Sequence, residues 1–217
     1  IDVYDMTQSV DDGATRPVFY ESRVINLKLD EQTLRRIDAE YDAMAEEAEE
    51  YVIEKSKREL GRLDSIFGAD ATVASLCEDI VKHYEEFRQY EQTGKAMIVA
   101  YSRPIAIKIY RRILEMRPVW GDKLAIIGND SHKKELEKRF KDNDSSLKIV
   151  IVVDMWLTGF DVPSLSTMYV YKPMSGHNLM QAIARVNRVF GDKQGGLVVD
   201  YVGIASALKT AMNDYTY

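Results

Sequence analysis

The sequence is poor in residues that hold metals or form cross-links. Its 217 residues include one cysteine, Cys77, and three histidines, His83, His132 and His177. One cysteine cannot form an internal disulfide, and the histidines lie far apart without ligand spacing. We therefore predict no metal site and expect the histidines in surface or loop positions. A reducing cytoplasm is the expected setting.

Long apolar runs are also missing. No stretch approaches the roughly 20 apolar residues that a membrane-spanning helix needs, so we expect no membrane association. The N-terminus has no basic region followed by an apolar one, so we expect no signal peptide. Because the chain begins with Ile1 instead of Met, we expect it to be a piece of a longer protein.

The sequence lacks the phosphate-binding loop Gly-x-x-x-x-Gly-Lys-Ser/Thr. Its one Gly-Lys pair, Gly94-Lys95, has Gln89 where the first glycine belongs and Ala96 where the hydroxyl belongs. Such a segment cannot form the backbone cradle that binds nucleotide phosphates. A free-standing nucleotide-binding enzyme is therefore excluded.

Charge is distributed unevenly along the chain. Residues 1–92 carry 11 basic and 23 acidic residues, a net of −12, whereas residues 93–217 carry 18 and 12, a net of +6; together these give the overall −6. Because Lys and Arg neutralise phosphates, any nucleic-acid surface is expected in the second part. One acidic helix in the first part would produce the same imbalance.

The first part, residues 1–92, is predicted to be a mainly helical segment with a short strand. The alternation of Ile25, Leu27 and Leu29 favours a strand within 16–29. Apolar residues recur at helical spacing over 30–57, with an acidic outer face. A second amphipathic helix, running from Val73 to Phe87, makes Cys77 a core residue.

The second part, residues 93–217, alternates strands and helices. Strands are predicted over 96–101, 124–127, 147–153, 167–171 and 197–200, and helices over 104–116, 132–141 and 178–190. This order is typical of an α/β fold with an open parallel sheet flanked by helices. Ligands bind such sheets at the carboxyl ends of the strands.

Three segments at those ends could carry chemistry. They are Tyr101-Ser102-Arg103, the loop 154–163 with the sequence DMWLTGFDVP, and Gln181-x-x-x-Arg185-x-x-Arg188. On a continuous helix, residues 181, 185 and 188 share a face, which points an amide and two guanidinium groups at one spot. Each segment alone is weak evidence, because such a stripe is usually solvated and a Thr-Gly pair is usually a turn. Their combination suits a phosphate-handling edge.

The order of these segments resembles motifs IV, V and VI of superfamily 2 helicases and translocases. Three stretches resemble the motor (R) subunit of type I restriction enzymes in particular, namely 12–23, 154–163 and 196–203. The resemblance spans nearly the whole chain. It implies a second RecA-like domain, whose partner, the first RecA-like domain, binds ATP and Mg²⁺ through its own phosphate-binding loop.

The resemblance also implies a role for each motif residue at the nucleotide. Arg188 would be the arginine finger, and Arg185 would reach the same γ-phosphate. Gln181 would place the nucleotide or the arginines. Gly159 and Asp161 would approach the ATP edge.

On the DNA side, the resemblance places Ser102, Arg103 and Thr158 near the backbone of double-stranded DNA. Three basic residues of the following helix could add contacts, although a solvated face explains them better: Lys108, Arg111 and Arg112. Asp154 is assigned to motif V and not to a Walker B strand, because Met155 follows where these motors carry Glu.

The implied partners are the first RecA-like domain and the nuclease domain of the same parent chain, together with methyltransferase and specificity subunits. The piece alone is expected to be inactive. Two alternatives remain open. Another superfamily 2 DNA helicase or remodeller is disfavoured by the stretches 20–23 and 200–203, and a non-catalytic RecA-like interaction module would be expected to lack the arginine pair.

Overall fold

A seven-stranded sheet forms the centre of the protein. The computed structural model describes residues 2–4, 13, 15–27, 29, 30, 32, 33, 35, 36, 39, 63–128, 131–157 and 159–214. The strands are β1 (Asp2–Tyr4), β2 (Val18–Ser22), β3 (Ala96–Ala100), β4 (Leu124–Ile126), β5 (Ile149–Val152), β6 (Thr167–Tyr171) and β7 (Gly196–Asp200). Their order in the sheet is β1-β2-β7-β6-β3-β5-β4, and only the β1–β2 pair is antiparallel. Most of the helix predicted over 30–57 lies outside the described residues.

The four central strands, β3, β5, β6 and β7, are buried along their whole length. This explains why their sequences are continuous apolar runs, since a parallel strand covered on both faces has no solvated side. The covering helices are α1 (Asp70–His83), α2 (Arg103–Met116), α3 (Lys133–Lys141), α4 (Gly176–Ile183) and α5 (Ala205–Asp214). The predicted fold class, an open α/β sheet flanked by helices, is confirmed.

Helix α1 behaves largely as its sequence predicts. Cys77 is fully buried, and burial raises the pKa of its thiol to about 12. Phe87, which the apolar spacing also placed in the core, is 61% exposed. The reason is a π-helical turn, Tyr84–Arg88, that directly follows α1. Its wider turn breaks the α-helical spacing, so Tyr84 stays buried and Phe87 faces outward.

The strand predicted within 16–29 exists but was placed on the wrong residues. β2 spans Val18–Ser22, whereas Val24–Leu27 forms a 3₁₀ turn. β2 pairs in parallel with β7 from Val18 opposite Gly196 to Ser22 opposite Asp200, so it ends where its partner ends. The strand of the first part therefore joins the sheet of the second part. The division of the chain at residue 92 stays a prediction.

The stretches 20–23 and 200–203, which disfavoured the alternative of another superfamily 2 protein, lie side by side at the ends of β2 and β7. The guanidinium of Arg23 donates two hydrogen bonds to Asp79 of α1, at 2.6 and 2.8 Å, and the hydroxyl of Tyr201 donates to the same carboxylate at 2.6 Å. Tyr20 donates to Asp200 at 2.5 Å. These contacts hold β2, β7 and α1 together.

His83 is a core residue, so its predicted place at the surface is wrong. Only 2% of it is exposed, and its ring nitrogens contact the hydroxyl of Tyr169 (2.9 Å) and the carboxylate of Glu21 (3.1 Å). The position was missed because a histidine that pairs with groups distant in sequence carries no local signal. Burial lowers the pKa of His83, while Glu21 opposes that shift.

Stability should therefore decrease at acidic pH. Because its pKa is lower in the folded state, His83 takes up a proton more readily after unfolding, so its contribution is present above its ordinary pKa of 6.5 and is lost below it. We expect the urea midpoint to fall between pH 7.5 and pH 5.5, and His83→Gln to reduce that fall. The measurement is the urea midpoint of both proteins at both pH values. An equal fall in the two proteins would assign the effect to other groups.

Among the described residues, no helix is long and apolar enough to cross a membrane.

Candidate functional site

The connection between β5 and β6 contains the motif V residues and is anchored by aromatic side chains. Trp156 stacks on Phe160 with ring centroids 4.0 Å apart, and Phe160 lies against Phe140 of α3 at 6.2 Å. Trp156 has a φ of +64°, which is unusual for a bulky residue. This stack was not predicted from the sequence, although Trp156 and Phe160 in a strand-end loop were a signal for it.

The motif V residues themselves point outward from this anchor. Gly159 is exposed with a φ of +68°, and Asp161 is 54% exposed at its side chain. Thr158, predicted to contact DNA, lies outside the described residues. The loop therefore presents a backbone turn and a carboxylate above a base of stacked aromatic rings.

The predicted helix over 178–190 is shorter than expected. α4 ends at Ile183, so Gln181 is helical while Arg185 and Arg188 lie beyond the helix, and the prediction of one shared helix face is wrong. The chain tightens there because Val186 packs closely on β7: a Cβ at Gly196 would lie 2.3 Å from the carbonyl oxygen of Val186. This close approach requires glycine at 196 and draws the chain out of the helix.

The two arginines nevertheless meet the motif V loop. The guanidinium of Arg185 donates to the carbonyl of Phe160, and its Nε donates to the carbonyl of Gln181 at 3.2 Å. Arg188 pairs with Asp161 at 3.1 Å, with 48% of the arginine side chain exposed. Burial and the charge of Arg188 lower the pKa of Arg185, whereas Asp161 acts in the opposite direction. The structure thus brings motif V and motif VI together at a solvent-facing surface.

Gln181 also borders an open groove of about 510 Å³ at the carboxyl ends of β5 and β6. Its amide lies 2.6 Å from Nε2 of His177. Asp154, at the groove wall, forms an ion pair with Lys172. The groove is lined by Asp154, Leu157, Lys172, Pro173, Met174, Ser175, Asn178 and Gln181.

The motif IV residues follow β3, and the side chain of Arg103 reaches the end of β4. Arg103 donates to the carbonyl of Ile127 at 3.3 Å, and its guanidinium packs over Gly128. Ser102 precedes α2, and its hydroxyl is buried without a hydrogen-bond partner in the described part of the chain.

The basic residues of α2 are engaged with other parts of the protein. Lys108 contacts the carbonyl of Gly68 (2.6 Å) and Asp70 (3.3 Å), and Arg112 pairs with Glu78 and Glu115. These exposed contacts favour the solvated-face interpretation over direct phosphate contacts.

Lys95, of the Gly94-Lys95 pair, is fully buried and donates to Asn143 at 2.8 Å. Its ammonium therefore does not face solvent, where a nucleotide phosphate would lie. Among the described residues, no group of three or more His, Cys, Asp or Glu side chains is placed to hold a metal ion.

Comparison with known proteins identifies the family of the chain. Residues 63–203 match the family model of type I restriction enzyme subunit R domain 3, and residues 1–54 match that of the SWI2/SNF2 ATPase. The HindI endonuclease subunit of Haemophilus influenzae, a type I restriction enzyme, is 38% identical over 240 residues, covering 100% of this chain and 22% of the relative. The chain thus spans about a fifth of that relative's length.

Solved structures show the same fold. A fragment of a putative HsdR subunit of a type I restriction enzyme from Vibrio vulnificus has a TM-score of 0.64 at 15% identity, covering 96% of this chain and 36% of that one. The helicase Lhr of Mycobacterium smegmatis has a TM-score of 0.51 at 17% identity, covering 65% of this chain and 19% of that one. The predicted RecA-like architecture is thereby confirmed, and the chain belongs to the R subunits of type I restriction enzymes.

Proposed function

We propose that this chain is the second RecA-like domain of an ATP-driven DNA translocase within an R subunit. The observation that carries the proposal is the contact between motifs V and VI. Arg188 is half-exposed and paired with Asp161, so it can turn toward a phosphate on a facing domain at little cost. Arg185 is held by two backbone carbonyls, which suits a group that orients the site.

The residues present fit one side of a nucleotide site. Two guanidinium groups can pair with phosphate oxygens, and Gln181 adds an amide. The arginines and Gln181 cannot replace a phosphate-binding loop, and Lys95 is buried. ATP and Mg²⁺ would therefore be held mainly by the first RecA-like domain. When bound, they supply the phosphoanhydride bond and the neutralising metal charge. Arg188 and Arg185 then stabilise the negative charge that develops during cleavage, while Gly159 and Asp161 connect the arginines to the motif V loop.

Motifs IV and V would follow the DNA backbone. Arg103 is exposed at the carboxyl ends of the strands, and with Thr158 it would offer phosphate contacts to double-stranded DNA. Ser102 adjoins Arg103 at the start of α2, but its hydroxyl is buried and would not contact a phosphate directly. The parent chain would add a nuclease domain and act in the cytoplasm with methyltransferase and specificity subunits.

The isolated 217-residue chain should show no ATPase activity above background, with or without DNA. The arginines alone cannot hold a nucleotide, because the phosphate cradle and the Mg²⁺ ligands belong to the other half of the site. The measurement is phosphate release by the purified chain beside the full-length subunit, with the Arg188→Ala chain as a control for contaminants. DNA-stimulated hydrolysis that depends on Arg188 would contradict the half-site assignment.

A further inference from the structure

Lys193 is a buried lysine that joins the two halves of the proposed site. It lies five residues after Arg188, and only 1% of it is exposed. Its ammonium donates hydrogen bonds to the backbone carbonyls of Leu165 (2.8 Å) and Pro163 (3.2 Å), at the downstream end of the motif V loop. A buried lysine is rare unless its charge is satisfied, so these contacts account for its position.

Among the described residues, three side chains of the segment that carries motif VI contact the motif V loop. The first two are the arginines: Arg185 bonds the carbonyl of Phe160, and Arg188 pairs with Asp161. The Arg188 pair is half-exposed, and ion pairs of this kind contribute little to holding two segments in place. Arg188 must also leave Asp161 when it engages a phosphate. The contact through Lys193 is the buried one, and it does not need to break.

We propose that Lys193 is a positioning residue, which keeps the segment of Arg185 and Arg188 in register with the loop of Gly159 and Asp161 through the hydrolysis cycle. The inference rests on the proposed function. With this anchor in place, Arg188 exchanges Asp161 for a phosphate while its backbone stays fixed. Charge-assisted bonds to two carbonyls of one short segment fix both its distance and its orientation.

Lys95 provides a matched control. It is fully buried, and like Lys193 it has a pKa lowered to about 8, mainly by burial. Lys95 donates to Asn143, which also accepts a hydrogen bond from Ser164 at 2.7 Å. It therefore supports, through Asn143, the segment 163–165 that Lys193 contacts directly. Lys95→Met removes a buried ammonium but leaves the bonds of Arg185, Arg188 and Lys193 intact.

The test compares Lys193→Met and Lys95→Met in the full-length R subunit, assembled with its partner subunits and DNA. We expect Lys193→Met to lower the ATPase kcat by about 10-fold to 100-fold with KM for ATP within about twofold, because misplaced catalytic groups lose rate more than binding. Amide hydrogen exchange should increase in 159–166 and 184–190. Lys95→Met should keep kcat within about threefold, with no increase over 184–190.

A double variant tests whether Lys193 acts through the arginine. Arg188→Ala with Lys193→Met should be slower than Arg188→Ala alone by a smaller factor than Lys193→Met costs in the wild type, because only Arg185 is then left to position. Additive losses, equal losses of kcat in Lys193→Met and Lys95→Met, or unchanged exchange over 184–190 would each overturn the proposal. Wild-type turnover of Arg188→Ala would instead overturn the proposed function, and the exchange data would still decide whether Lys193 anchors the segment.

Discussion

Replacing Arg188 by alanine in the full-length R subunit should slow DNA-stimulated ATP hydrolysis by about 10³-fold or more, the scale of an arginine finger. The arginine side chain is half-exposed and pairs with Asp161 of the motif V loop. Its guanidinium would therefore act where charge develops on the transferred phosphate, and not in holding the fold. The measurement is kcat in the assembled enzyme with DNA.

Four further measurements test whether this loss is specific to an arginine finger. ATP affinity should fall far less than kcat, and DNA binding should hardly change, because other motifs carry those contacts. Arg188→Lys should rescue poorly, since an ammonium lacks the planar fork of a guanidinium. Arg139→Ala is a matched control, because that arginine on α3 makes a long contact of 3.4 Å to the carbonyl of Asp122. A rate within about threefold of wild type for Arg188→Ala would mean that Arg188 is not the arginine finger. Either Arg185 would then be the finger, or motif VI would not supply one.

The sheet could be predicted from the sequence because its strands are buried on both faces. A parallel strand without a solvated side must be an apolar run, so β6 was predicted over the residues where it is found. β2 was misplaced because its extent is set by β7, a strand more than 170 residues away. Periodicity within 16–29 contains no information about that partner.

The end of α4 shows, at the candidate site, the same limit of prediction from local periodicity. Helical spacing predicted that Gln181, Arg185 and Arg188 share one face, but the packing of Val186 on Gly196 ends the helix at Ile183. The resemblance still placed motifs V and VI at the same ATP edge, because that placement depends on the order of the motifs along the sheet and not on helix geometry.

Buried polar residues are the part of this protein that the sequence conceals. Lys95, Lys193 and His83 have residue types that are usually exposed, and each is buried because its partner is brought near by the fold. A lysine that bonds two carbonyls about 30 residues away is indistinguishable, in one sequence, from a solvated lysine.

Asp200 is the buried polar residue whose loss should cost the most stability. One carboxylate oxygen accepts hydrogen bonds from the backbone N–H groups of Val202 (2.8 Å) and Gly203 (2.9 Å). The other accepts from the N–H of Ile204 (2.7 Å) and the hydroxyl of Tyr20 (2.5 Å). Asp200 is fully buried, so water cannot replace these bonds. The side chain connects the end of β7 to the start of α5 and to β2.

Asp200→Ala should therefore lower the free energy of unfolding by about 3 kcal/mol or more, because several buried donors lose their acceptor together. Tyr20→Phe removes one of the four bonds and should cost about 1 kcal/mol. Asp200→Asn should lie between them, since an amide group would face the N–H of Ile204 or those of Val202 and Gly203. Asp192→Ala, at an exposed aspartate that pairs with Gln92, should change stability by less than about 0.5 kcal/mol. Urea unfolding followed by the fluorescence of Trp120 and Trp156 gives all four values. A loss below about 1 kcal/mol for Asp200→Ala would mean that the strand pairing of β2 and β7 holds without this carboxylate.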